Sequence, residues 1–200
     1  MRKLGWFLAI ASGFLAVVVY VIAKAKQVAA TPITPSITPP ITPPITPPVT
    51  PPSLPYDAQI FLQRIEPYQY QIGKYASLNS LERPLVEAVI WTESSGFADQ
   101  KTYEGNGVWC YGLMQVGIAA ATDVGFVGAE ALLLAPDINL RYGCAYLGMW
   151  LRKAGWNKKL ALSSYNGGYR AYYYYQDTGT FMNPSYVNKV MGYYDILKGR

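Results

Sequence analysis

The sequence predicts an all-α domain with a small β element, carried behind an apolar N-terminal segment and a proline-rich linker. Three observations point there. Downstream of Tyr56, apolar residues recur at helical spacing in stripes bounded by caps and glycines. No convincing run of alternating strand residues appears in the same region. The first 55 residues divide into an uncharged stretch and a short proline repeat, and neither reads as part of a globular core.

Residues 1–30 are expected to form a membrane anchor. Leu4 to Ala23 is 20 residues long and carries no charge. At about 1.5 Å per residue it spans a hydrocarbon core of roughly 30 Å. A cleaved signal peptide is the alternative, and "AKAKQVAA" offers small residues at plausible cleavage sites. Signal cores run only about 7–15 apolar residues, which favours an uncleaved transmembrane helix. Basic residues flank it on both sides, so charge alone leaves its orientation open.

Residues 31–55 repeat proline, threonine and a β-branched apolar residue. Proline fixes φ and removes backbone donors, so polyproline II is expected over this linker. At about 3.1 Å per residue it would reach roughly 75 Å. The spacing implies a spacer outside the fold, either stiff or without fixed length.

The folded part is expected over residues 56–200. Asn79 to Glu82 resembles a capping box, Pro84 falls in a first turn, and Val86, Val89 and Ile90 form an apolar stripe that Gly96 ends. A second helix starts with Asp137 as N-cap and stops at Gly155. "KLALSSYN" reads as a short helix closed by Gly167 and Gly168. A last helix starts at Pro184 or Ser185, with Tyr186, Val190, Met191 and Tyr194 on one stripe. The β element is expected between Phe97 and Trp109.

Composition removes several chemistries. The net charge of +5 comes largely from Arg2, Lys3, Lys24 and Lys26. From Tyr56 onward there are 13 Lys or Arg (17 less those 4) against 12 Asp or Glu. The domain is nearly neutral, so no nucleic-acid partner is expected. The absence of histidine excludes a Ser-His-Asp triad, a Cys-His pair and histidine-ligated zinc. No metal and no cofactor are expected. Cys110 and Cys144 are either a disulfide or two buried thiols, according to compartment.

Three motifs carry chemistry. Glu93 lies in the last turn of an apolar helix, where the negative end of the helix dipole disfavours a carboxylate. Val89 and Trp91 are expected to desolvate it further, raising its pKa toward that of a general acid. "GLMQ" combines Gly112, which allows close backbone approach, Met114, an adaptable apolar contact, and Gln115, a neutral donor and acceptor. Such groups suit an uncharged, amide-bearing ligand such as an N-acetylated sugar. "SSYNGGY" adds Tyr165 and Asn166, an aromatic face and an amide before two glycines.

In this order the motifs resemble the soluble-lytic-transglycosylase and goose-type lysozyme group. That group carries Glu-Ser at a helix end, then Gly-Leu-Met-Gln, then Ala-Tyr-Asn-Ala-Gly, then a late Tyr on a final helix. Here they read Glu93-Ser94, Gly112 to Gln115, Ser164 to Gly168, and Tyr186. The resemblance covers roughly residues 77–197. Departures are the missing proline after Gln115 and Gly167 in place of alanine.

The resemblance implies a lysozyme-like α domain acting on the MurNAc–GlcNAc bond of peptidoglycan, with Glu93 as the single acid and base. It implies Ser94, Gly112, Met114, Gln115, Tyr165, Asn166 and Tyr186 as substrate-binding residues. A lone carboxylate suffices when the substrate's own N-acetyl group assists and its 6-hydroxyl closes a 1,6-anhydro ring. A goose-type hydrolase would instead call on Asp99, Glu104 or Asp123 to position water. An inert peptidoglycan-binding tether is the third reading, and a retained Glu93 speaks against it. Tyr172 to Tyr175 either line the groove or pack alternately into the core.

Since peptidoglycan lies outside the cytoplasmic membrane, the anchor is expected to run N-in, C-out, with the catalytic domain on the extracytoplasmic side. That compartment permits a Cys110–Cys144 disulfide. A cell envelope, a secretion or conjugation machine and a virion membrane all fit an anchored, localised wall-cutting domain.

Overall fold

A computed structural model describes residues 54–105 and 107–200. The expected anchor and residues 31–53 of the linker lie outside the described residues. Among those described, no helix is long and apolar enough to cross a membrane.

The domain begins slightly earlier than expected. Helix α1, Tyr56–Ile65, starts on Pro55, whose carbonyl accepts from the Gln59 amide at 3.1 Å. The Leu54 carbonyl accepts from Gln59 Nε2 at 2.7 Å, and Leu54 packs against the core. The last two residues assigned to the linker therefore belong to the fold. A 3-10 turn at Glu66–Tyr68 leads into α2, Gln69–Leu78.

Helix α3, Arg83–Ser94, is the centre of the domain. Leu85, Val86, Ala88, Val89, Ile90 and Trp91 are all buried, so it is apolar almost all round, as a helix packed on several sides must be. Trp91 stacks between Phe61 of α1 and Tyr193, with ring centroids 4.8 and 4.0 Å away. Glu87 is fully buried and is neutralised by Arg83 at 3.1 Å and by Arg200. A charge removed from water needs such partners.

The expected capping box does not form. Glu82 is the N-cap residue and makes no capping bond; its carboxylate takes Lys158 Nζ at 2.6 Å and the Tyr194 hydroxyl instead. Asn79 Nδ2 donates back to the Tyr75 carbonyl at 2.8 Å. Ion pairing with later helices outcompetes the local cap.

After α3 comes a three-stranded antiparallel sheet in the order β1-β2-β3: Lys101–Gly105, Val108–Tyr111 and Val116–Gly117. Lys101 faces Tyr111 and Thr102 faces Cys110, with an irregularity between Tyr103 and Gly105. The expected β element is present and extends past Trp109.

Helix α4, Ile118–Asp123, and a 3-10 stretch, Glu130–Leu134, precede α5, Pro136–Lys153. Asp137 is not its N-cap. Ala135 holds that position, and the Asp137 carboxylate accepts from the Tyr75 hydroxyl at 2.9 Å, tying α5 to α2. Helix α6, Lys158–Thr178, begins at Asn157, whose side chain caps the Leu160 amide at 3.1 Å.

Gly168, at φ 61 and ψ −156, breaks α6 where a stop was expected, but helical geometry resumes and runs on to Thr178. Tyr169 and Tyr172 pack on Trp150, with centroids 4.9 and 5.7 Å away, which supports the continuation. Helix α7, Pro184–Lys198, starts as expected and buries Val187, Val190, Tyr194 and Leu197 against α3 and α6.

The expected disulfide is also corrected: Cys110 and Cys144 are both free. Cys144 is fully buried, and its sulphur lies 3.9 Å from the Met114 sulphur. Cys110 lies half-buried on β2.

Candidate active site

Glu93 sits in the last turn of α3, just before the chain turns away through Ser95 at φ 54 and Gly96 at φ 86. Its carboxylate faces a cleft of about 340 Å³. The β-hairpin contributes Glu104, Val108 and Cys110 to the walls. Gln115, Gly117, Ala119 and Ala120 come from the turn before β3, from β3 itself and from α4. Tyr146 of α5 and Tyr165, Asn166 and Gly168 of α6 complete the lining.

Burial pushes the Glu93 carboxyl up to about 7. The Tyr186 hydroxyl, which donates to Glu93 Oε1 at 2.6 Å, opposes that shift, because a hydrogen bond to the carboxylate favours the charged form. Glu104 adds a smaller upward push and Lys189 a downward one. The resulting group exchanges a proton near neutral pH, as a residue serving as acid and then base requires. Val89 is buried beside it on the helix, but Trp91 is taken up by its stack with Phe61 and Tyr193, so part of the expected desolvation has another source.

The motif residues divide into those that line the cleft and those that build it. Gln115, Tyr165 and Asn166 line it. Gln115 holds a φ of 46, and its Nε2 donates to the Gly112 carbonyl at 2.8 Å and to the Gln100 carbonyl at 3.1 Å. Its Oε1 is buried and has no partner among the described residues, so Gln115 meets the cleft with the rest of its side chain. The Tyr165 hydroxyl donates to the Met114 carbonyl at 2.8 Å, so its ring presents a fixed face. Asn166 Oδ1 accepts from Asn183 Nδ2 at 2.6 Å.

Four residues expected to meet substrate do something else. Ser94 is buried, and its hydroxyl donates to the Leu113 carbonyl at 2.8 Å, joining α3 to the GLMQ turn. Met114 is fully buried against Cys144 and Gly143, so its side chain never reaches the cleft. Gly112 is required for close packing: at φ 69, a Cβ there would stand 2.7 Å from Asn139 Nδ2. Tyr186 meets Glu93 itself and is not part of the cleft lining.

Sequence reasoning missed Asn139 and Asn183. Asn139 is fully buried, accepts from the Met114 amide at 2.8 Å, and donates to the carbonyls of Tyr111 at 2.6 Å and Leu133 at 2.8 Å. Its signal was a polar residue inside the apolar stripe of "PDINL". Asn183 binds Ser163 and Asn166 through its amide, fixing the end of the cleft. Among Asp99, Glu104 and Asp123, only Glu104 lines the cleft. Tyr172 to Tyr175 do not line it: Tyr172 packs on Trp150, Tyr175 stacks on Phe181, and Tyr173 and Tyr174 are exposed.

Residues 71–178 match the protein family described as the transglycosylase SLT domain. No curated protein matches the chain in sequence. Among solved structures, the chain is similar to an inactive mutant of the lytic transglycosylase Slt from Pseudomonas aeruginosa, at 22% identity and a TM-score of 0.57, over 64% of this chain and 23% of that one. It is also similar to the 70 kDa soluble lytic transglycosylase from Escherichia coli, at 20% identity and a TM-score of 0.58, over 66% and 24%. The complex of the 70 kDa enzyme with bulgecin A matches at 20% identity and a TM-score of 0.59, over 66% and 24%. The match spans about a quarter of those proteins, and at such identities the likeness is one of fold.

Proposed function

The chain belongs to the SLT transglycosylase family, and from that premise we propose that it is a peptidoglycan lytic transglycosylase with Glu93 as its acid and base. The carrying observation is a carboxyl that burial pushes up to about 7, held by Tyr186 at 2.6 Å and facing a sugar-sized cleft. Protonated Glu93 donates to the glycosidic oxygen between MurNAc and GlcNAc, and the C1–O bond breaks. The substrate's N-acetyl group stabilises the positive centre left at C1. Glu93, now a carboxylate, takes the proton from the 6-hydroxyl, whose oxygen closes on C1 to form a 1,6-anhydro ring. The acid is thereby restored, and no water is consumed. Gln115 and Asn166 bring amides to the cleft wall, as an N-acetyl sugar needs, and the Tyr165 ring suits a pyranose face.

Hydrolysis on the same fold is the second reading, favoured by Glu104, a second carboxylate in the cleft that can activate water. Mass spectrometry of released muropeptides separates the two. Transglycosylation gives products lighter by one water; a digest with only reducing-end sugars sinks it.

We take the uncharged segment 4–23 as an N-in membrane anchor and residues 31–53 as a spacer holding the domain on the extracytoplasmic side, for a local cut in the wall. The support is the position of peptidoglycan relative to the membrane and the length of the apolar run. Proteolysis of intact spheroplasts tests this: the domain is expected to be digested, and its protection would reverse the orientation.

A further inference from the structure

A chain of aromatic rings runs from the cleft through the core to the surface. Tyr165 and Tyr146 line the cleft, with centroids 5.6 Å apart. Tyr146 meets the edge of Trp150 at 5.9 Å, and Trp150 meets Tyr169 at 4.9 Å. Tyr169 follows Gly168, itself part of the cleft lining, directly in sequence. Beyond it, Tyr173 stacks on Tyr169 at 6.4 Å with planes only 27° apart. Both rings reach solvent, Tyr169 at 44% and Tyr173 at 55% exposure.

The underside of this ridge is packed, not loose. Trp150 is fully buried beneath it, and Tyr172 contacts both Trp150 and Tyr173. Lys153 Nζ lies 5.7 Å from the Tyr169 ring centre and 5.0 Å from that of Tyr172, adding a cation. Two near-parallel exposed rings on a rigid base, with a positive charge beside them, match sugar rings whose apolar faces stack and whose substituents carry carboxylates.

We propose that Tyr169 and Tyr173, with Lys153, form a second, non-catalytic binding platform for an acidic glycan strand, next in the chain to the cleft residue Gly168. The platform holds a polymer that a short fragment would not reach. It rests on the peptidoglycan reading only for the identity of the strand. The break at Gly168 has a role in this: it starts the second half of α6 at the cleft and sets Tyr169 at its first position.

The test uses the full chain in detergent, carrying Glu93→Gln so that no strand is cut, pelleted with purified peptidoglycan sacculi. Tyr169→Ala with Tyr173→Ala is expected to raise the apparent Kd about tenfold, the size of two aromatic stacking contacts. Since Tyr169 also packs on Trp150, Tyr169→Leu with Tyr173→Ser repeats the test with the apolar contact kept, and thermal unfolding checks both forms. Affinity for a soluble tetrasaccharide fragment should not change. Unchanged sacculus binding by the folded double variants overturns the platform, as does a loss that persists equally on the tetrasaccharide. Cleavage of sacculi by the unsubstituted chain is followed separately. If it cuts nothing while ridge substitutions still weaken binding, the platform stands and the catalytic reading falls. If it cuts and the variants bind like their parent, the reverse holds.

Discussion

At the scale of single residues, Glu93 and Tyr186 form one unit. Glu93→Gln keeps the side chain's shape but removes the transferable proton, and activity on purified peptidoglycan should fall by about 10²–10⁴-fold. Tyr186→Phe removes the bond that favours the Glu93 carboxylate, so the Glu93 pKa should rise above about 7. The alkaline limb of the activity profile, where Glu93 loses its proton, should then move to higher pH while the maximal rate falls. An unmoved limb would separate Tyr186 from the proton balance of the site. Stability carries the same signature. The folded carboxyl is raised from 4.5 to about 7, so its contribution is fully present below 4.5 and is lost as pH rises through 7. Denaturant titration should find Glu93→Gln gaining on the wild type across that window.

At the scale of elements, the GLMQ turn closes on itself through Gln115 and Gly112 but is anchored from α5. Asn139 satisfies one amide and two carbonyls that are otherwise buried. Asn139→Ala should cost about 2–4 kcal/mol, since each orphaned buried group costs about 1–3 kcal/mol. Thermal unfolding measures this, and a shift within error would mean that the turn is held some other way. Gly143 is the complementary case: a Cβ there would lie 2.6 Å from the Met114 sulphur. Gly143→Ala should destabilise by about 1–3 kcal/mol through overpacking and should disturb Tyr165, which is bonded to the Met114 carbonyl. A loss of activity larger than the loss of folded protein would report that displacement.

At the scale of the whole molecule, the described residues have a single core into which α1 is built. Ala58, Phe61 and Ile65 are buried, and Phe61 closes the stack on Trp91. A fragment beginning at residue 54 should therefore unfold in one cooperative transition, whereas one beginning at residue 67 should not. Calorimetry of the two fragments decides it, and a cooperative shorter fragment would show α1 to be an accessory. Without reductant, denatured protein should titrate two thiols. The native thiols should react slowly, because burial pushes Cys110 up to about 11 and Cys144 higher still.

The sequence by itself determined the family, the helical class and the placement of Glu93 at a helix end, because these rest on residue type and spacing along one chain. Pro84 and Pro184 marked helix starts correctly, since proline acts on its own backbone. The capping box and the Asp137 cap failed because side chains free to choose took partners on other helices. The tertiary structure alone decided that Met114 and Ser94 are buried while Gln115 faces the cleft, and that the two cysteines stay apart. It also decided the proton affinity of Glu93. The hydroxyl that tempers it lies 93 residues away, and the burial that raises it comes from elements that meet only in the folded chain. Local pattern encodes which groups are present, but desolvation and long-range hydrogen bonds set what they can do.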